Sequence, residues 1–317
     1  MEMPANSPLR NHGLDFLKGI AACFIVFAHV TFPRPFGLFV AYVATFAVSV
    51  FFMTSGYYSL NSSRSRLLHA IKRTLGYLLA AYVLYLIRIW IIEDFSVSAV
   101  LDFLSREVFT LHHLSRVMVL TQSSICYVAW FLITLVVCYV LRLMLGRWLW
   151  LLGAVGLVAG IVVVLPPVGN LMDFPISNPW LWGIPFFVMG EAVHQYEDRL
   201  RQVLHRPQLV VLCVVGLTIS ILSRYYGTQW WHIANMMLAP ALFLLFGGSG
   251  MKYRRFCLMG STYAFFIYIV HPLVMFSYNA LRPDRGLAES WLRPFIVLAI
   301  TVLLAAVFYR LKSLLTR

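Results

Sequence analysis

The chain has 317 residues, 61% of them hydrophobic and only 12% charged, with a formal net charge of +13. Soluble domains carry about 25% charged residues, so a soluble globular protein is excluded. Apolar runs of bilayer-spanning length recur from end to end, which makes the fold class all-α, a polytopic membrane helix bundle. The positive charge does not point to nucleic acid, because the basic residues stand in short stretches between apolar runs, where they report membrane orientation.

The first apolar stretch runs from Leu14 to Pro33, LDFLKGIAACFIVFAHVTFP. It lacks a small-residue cleavage signature and reads as a retained signal anchor. Asp15, Lys18 and His29 lie in or at the edge of this apolar stretch, and ionisable groups inside a span are expensive and point to function. Lys18 and His29 are eleven residues apart, close to three helical turns, so they share a face about 16 Å apart along the axis. That suits the two ends of one elongated ligand. Asp15 stands three residues before Lys18 and is placed to pair with its ammonium. The competing readings are a Lys18 that snorkels to the headgroups and a His29 bonded to a neighbouring helix.

Ten helices are expected, at 14–33, 37–60, 74–92, 128–145, 148–166, 180–194, 208–223, 231–249, 258–278 and 294–310. With the N-terminus in the cytoplasm, alternation puts 17 of the 25 basic residues inside, which predicts two cytoplasmic termini. No polar stretch is long enough for a separate soluble domain, so residues 1–317 are expected to form one membrane domain.

The second run ends FFMTSGYY, residues 51–58, where Ser55-Gly56 permits close approach by a neighbouring helix or by a ligand. A basic segment follows, with Arg64, Arg66, Lys72 and Arg73. It reads as a topology signal or as a cytoplasmic phosphate cradle, since guanidinium groups bind phosphate bidentately. Lys252, Arg254 and Arg255 are candidates to add to it from another inside loop. The stretch 93–127 has an amphipathic middle, expected as one or two helices at the outer interface or folded back as a lid. His112-His113 are adjacent and diverge on a helix. With no carboxylate or cysteine at ligand spacing, no metal site is assigned. Cys23, Cys126, Cys138, Cys213 and Cys257 show no paired spacing, so neither a disulfide framework nor zinc is read from them.

Trp130 opens the fourth run near its outer end, as a belt residue or a donor. The sixth reads WLWGIPFFVMGE and ends on Glu191, near the inside end and expected to reach water. The ninth contains YIVHP, where His271 precedes Pro272. His271 reads either as a ligand contact or as a manager of the carbonyl that Pro272 frees four residues earlier.

LDFLKGIAACFIVFAH, FFMTSGYY, a basic run, AWFL, IPFFVMGE and YIVHP, in this order, resemble acyltransferase family 3, integral-membrane acyl-CoA-dependent transferases. Lys18 and His29 match the family's basic residue, ten residues, then histidine. Phe51 to Tyr57, Trp130 and His271 match its later motifs. The family's arginine pair after the second helix is not found as such, and Arg64, Arg66, Lys72 and Arg73 stand in its place. The resemblance implies an O-acyltransferase of the bacterial inner or cytoplasmic membrane that moves acetyl, or another acyl group such as succinyl, from cytosolic acetyl-CoA to a hydroxyl of an envelope carbohydrate. Its partners would be acyl-CoA, the glycan acceptor and the bilayer, with no permanently bound cofactor. In that picture His29 is the general base, Lys18 and the basic segments meet the CoA phosphates, and Ser55 and Trp130 are candidate donors to the thioester oxygen. The alternative is a transporter of a polysaccharide precursor or small polar solute, since buried charges and kinked helices also line transport paths. No inverted repeat between the halves supports that alternative. The other membrane-bound O-acyltransferase family fits less well, because its catalytic histidine lies deep in the chain.

Overall fold

A computed structural model describes residues 11–164, 179–226, 230–248, 254–282 and 286–315. Every regular element among them is helical. The helices are α1 His12–His29, α2 Phe36–Val43, α3 Phe46–Ser59, α4 Arg64–Ile92, α5 Val97–Phe103, α6 Leu111–Leu120, α7 Ala129–Leu145 and α8 Leu149–Val164. They continue with α9 Ile184–Val203, α10 Arg206–Tyr225, α11 Trp231–Gly247, α12 Arg254–Leu258, α13 Ala264–Leu281 and α14 Leu287–Leu315.

Among the described residues, seven helical runs are long and apolar enough to cross a membrane: His12–His29, Phe36–Ser59, Arg64–Ile92, Ala129–Val162, Arg206–Ser223, Arg255–Leu281 and Leu287–Leu315. Trp231–Gly247 is a shorter apolar helix. The expected helices at 128–145 and 148–166 are α7 and α8, joined through a single 3-10 turn, Gly146–Trp148. The chain is a multi-pass membrane protein.

α1 is the centre of the bundle. Leu14, Leu17, Ala21, Ala22, Ile25 and Val26 are all buried, packed by α3, α11, α13 and the segment at 254–263. Its start is fixed by Asn11, whose side-chain oxygen accepts from the Leu14 amide at 3.1 Å while its Nδ2 donates to the Gly247 carbonyl at 2.9 Å. Its end lies just before Pro33 and Pro35, which disfavour further helix.

The closest crossing joins α3 and α9. A β-carbon at Gly56 would collide with the Phe187 carbonyl oxygen, and one at Gly190 with the Met53 carbonyl oxygen. Small residues allow this approach, as in membrane helix pairs generally. The close approach expected at Ser55-Gly56 is therefore made by a helix.

Two expectations are corrected. The basic segment was expected to precede a helix starting at residue 74, yet α4 begins at Arg64. Ser63 caps it by accepting from the Arg66 amide, so Arg64, Arg66, Lys72 and Arg73 project from the first turns of a 29-residue helix. Glu191 does not reach water. It is fully buried, paired with Arg142 at 2.8 Å, and it accepts from Trp150 Nε1 at 2.8 Å and Ser59 Oγ at 3.1 Å. A buried carboxylate is tolerable only when its charge and lone pairs are met in this way.

The stretch 93–127 carries α5, a π turn at Leu104–Val108 and α6. Phe95, Leu101, Phe109, Leu111 and Met118 leave its apolar side exposed. His112 and His113 gather no ligands: among the described residues no group of three or more His, Cys, Asp or Glu forms a metal site. His113 Nδ1 instead meets Ser124 Oγ at 3.0 Å.

Candidate functional site

Helices α1 and α13 bring His29 and His271 together, with ring centroids 5.0 Å apart. Each ring is anchored through Nδ1 to the carbonyl four residues earlier in its own helix, Ile25 for His29 and Ile267 for His271, both at 2.9 Å. A carbonyl only accepts, so Nδ1 carries a proton, and in the neutral form of either ring the lone pair is on Nε2. The ring of His271 is fully buried, and its Nε2 has no hydrogen-bond partner. His29 is an exposed residue. The carbonyl that Nδ1 of His271 meets is that of Ile267 and not the Tyr268 carbonyl that Pro272 frees, so the bond does not repair the proline break.

Further aromatic groups frame the pair. The Tyr127 ring lies 5.8 Å from His29, and the Tyr268 ring 6.3 Å from His271. Tyr268 donates its hydroxyl to the Val128 carbonyl at 2.5 Å, tying α13 to the start of α7, where Trp130 sits. Trp130 packs on Phe52 and Phe131.

Below the histidines, toward Lys18, Ile25, Val48, Phe51, Phe131, Phe265 and Tyr268 enclose a cavity of about 10 Å³. That is room for about one water molecule. Ser55 is one helical turn beyond Phe51. Its hydroxyl donates to the Phe51 carbonyl at 2.9 Å and also meets the Tyr139 side chain. Arg73 lies within electrostatic reach of Tyr139 and Tyr309. Ser55 and Arg73 thus converge on Tyr139 rather than on the histidine pair.

At the far end of α1 the Lys18 ammonium is 2.9 Å from the Asp15 carboxylate, in a largely buried pair. The π turn Met259–Tyr263 presses on this end, with Gly260 against the Asp15 carbonyl. Such turns are frequent at functional sites. A groove of about 660 Å³ lies between the start of α4 and the end of α7, lined in part by Ser62, Arg64, Leu68, Arg142, Met144 and Arg147. Arg64 belongs to it, whereas Arg66, Lys72, Arg73 and Lys18 do not line it. Lys252 lies outside the described residues.

A family model described as an acyltransferase domain matches residues 11–310, nearly the whole chain. The chain belongs to acyltransferase family 3. It is therefore a membrane acyltransferase, and the first-helix motif that carries the resemblance holds one member of the histidine pair. No curated protein and no solved structure matches the chain.

Several residues of the candidate site and its surroundings escaped sequence reasoning. Tyr127 and Tyr268 were hidden among apolar residues. Arg142 was read only as an orientation signal, though it holds Glu191 and donates to the Leu60 carbonyl at 2.9 Å. Its partner is 49 residues away in sequence, so no local spacing signals the pair.

Proposed function

We propose that this acyltransferase moves an acyl group, acetyl first of all, from acyl-CoA to a hydroxyl of an envelope carbohydrate, with His29 as general base. The observation that carries this reading is the anchoring of His29 Nδ1 on Ile25, which leaves Nε2 of an exposed residue without a role in holding the ring. A histidine suits the task because its ordinary pKa is near the operating pH.

In this reading the acceptor hydroxyl gives its proton to His29 Nε2 as its oxygen attacks the thioester carbonyl. The C–S bond then breaks, and the CoA sulfur takes the proton back from the imidazolium. His271 Nε2 accepts a hydrogen bond from bound substrate and so loses its orphan state. Trp130 is the donor assigned to the thioester oxygen, while Ser55, whose hydroxyl is engaged by the Phe51 carbonyl, stands further along the path of the acyl donor.

The donor enters from the Lys18 end, which this reading places in the cytoplasm together with both termini, in a bacterial inner membrane and a bundle of about ten spans. Lys18, Arg64 and the groove beside Arg142 and Arg147 receive the phosphates, joined by Arg66, Lys72 and Arg73 on the same face of the membrane. The pantetheine arm runs along α1. The cavity of about 10 Å³ is too small for that arm, so Phe51, Phe131 and Phe265 swing aside when the donor binds.

The test is release of free CoA by the purified protein in lipid nanodiscs, with acetyl-CoA or succinyl-CoA and an envelope glycan extract. Acceptor-dependent release supports transfer, and the better donor names the acyl group. Absence of release with both donors overturns the reading.

A further inference from the structure

Beyond His29, on the side away from Lys18 and two aromatic rings off, stands a cation that the chemistry above does not use. Arg88, in the last turns of α4, is half-buried, and its guanidinium carbon lies 4.1 Å above the centroid of the Phe276 ring. Among the described residues it has no ion pair and no hydrogen bond; it rests on this ring and lies within electrostatic reach of the Tyr127 side chain. Phe276 packs edge-on against Tyr127 at 6.3 Å, and Tyr127 faces His29 at 5.8 Å. Tyr127 is 41% exposed. A second guanidinium stands at the same end: Arg293 donates to the Thr31 carbonyl at 3.2 Å, two residues past His29.

A half-buried guanidinium without a carboxylate is costly to keep unless something completes it. A ring beneath it fixes the plane of the fork and leaves its N–H edge free. That edge matches the paired oxygens of a phosphate or carboxylate. The flat face of Tyr127, between this fork and His29, suits the apolar face of a sugar ring.

We infer that the acceptor is an acidic glycan, bearing phosphate or carboxylate, whose anionic group is held by Arg88 while the neighbouring sugar lies on Tyr127 and offers its hydroxyl to His29. This rests on the reading of His29 as the base acting on a glycan hydroxyl. The reacting hydroxyl and the anion are then on adjacent units of the chain, since two aromatic rings separate Arg88 from His29.

The experiment compares neutral dextran oligosaccharides with the same oligosaccharides after phosphorylation, as acceptors of labelled acetyl from acetyl-CoA. The full-length protein is held in phosphatidylcholine nanodiscs. The expected result is a preference of about tenfold or more in kcat/KM for the phosphorylated pool, collapsing toward one in Arg88→Gln and largely kept in Arg88→Lys. Added salt should erode the preference in the wild type and not in Arg88→Gln. Equal use of the two pools, or a preference that Arg88→Gln leaves intact, overturns the inference while transfer itself stands. So does a preference that vanishes only when the nanodiscs contain phosphatidylglycerol, because Arg88 would then serve a lipid headgroup. Labelling of neither pool overturns the underlying glycan reading instead.

Discussion

His29 and His271 face one another at 5.0 Å from helices whose sequences are more than two hundred residues apart, and each is locked by the same bond from Nδ1 to the carbonyl four residues before it. The arrangement fixes two ring orientations and two tautomers without any carboxylate. It also makes the two residues unequal, since His271 is fully buried and His29 is exposed. The exposed residue suits proton transfer with an acceptor, and the buried one suits a fixed hydrogen bond.

Lys18 is expected to act on the donor. Lys18→Ala should raise KM for acetyl-CoA by about tenfold or more, the scale of one lost charge-assisted hydrogen bond. Lys18→Arg should retain most of the affinity. Steady-state kinetics in nanodiscs decide this, and an unchanged KM in Lys18→Ala would leave Lys18 with a structural role only.

Glu191 is expected to be structural. Glu191→Gln strips the buried Arg142 guanidinium of its counter-charge, a loss of about 3–5 kcal/mol for a broken buried pair. The double variant Glu191→Gln with Arg142→Met should recover part of that loss. Thermal unfolding in detergent measures both, and a single variant as stable as the wild type would contradict the assignment.

The crossing of α3 and α9 is expected to tolerate no side chain. Gly56→Ala puts a methyl group into the Phe187 carbonyl, and forced overpacking of this kind costs about 1–3 kcal/mol. Gly76→Ala is the control, since a β-carbon there meets nothing within 4 Å. A drop in thermal midpoint for Gly56→Ala but not for Gly76→Ala is the expected outcome.

The segment carrying α6 should respond to acid. Burial pushes the His113 imidazole below its ordinary value of 6.5, with Arg116 and His112 adding to the effect and Glu107 opposing it. A native state that binds fewer protons than the unfolded segment loses stability as pH falls. The contribution of His113 is therefore complete above pH 6.5 and is lost progressively below it. Amide exchange over Leu111–Leu120, corrected for intrinsic rates, should show weaker protection at acid pH than at neutral pH, and His113→Gln should flatten that difference. Equal acid sensitivity in His113→Gln would assign the effect elsewhere.

The site was legible in sequence where function and helical spacing coincide. Lys18, His29 and Asp15 lie on one helix, and the eleven-residue interval with the acidic residue three positions before Lys18 already implied a shared face and an ion pair. His271 was visible as a histidine in an apolar run, but its partner ring was not, since nothing local encodes the approach of α13 to α1. The early start of α4 was missed because Arg64, Arg66, Lys72 and Arg73 read as a loop, although Ser63 before them is a recognised capping residue. Arg88 and Tyr127 look in sequence like any arginine and tyrosine at the end of a span. Only their placement around Phe276 and His29 sets them apart.

The most direct test of the account follows labelled acetyl from acetyl-CoA into envelope glycans, in membranes holding equal amounts of wild type or His29→Ala. The account predicts labelling by the wild type and a loss of about 10²- to 10⁴-fold in the variant, the range supplied by a general base. Labelling by His29→Ala at the wild-type rate would contradict it and leave His29 as a group that only closes the end of its helix.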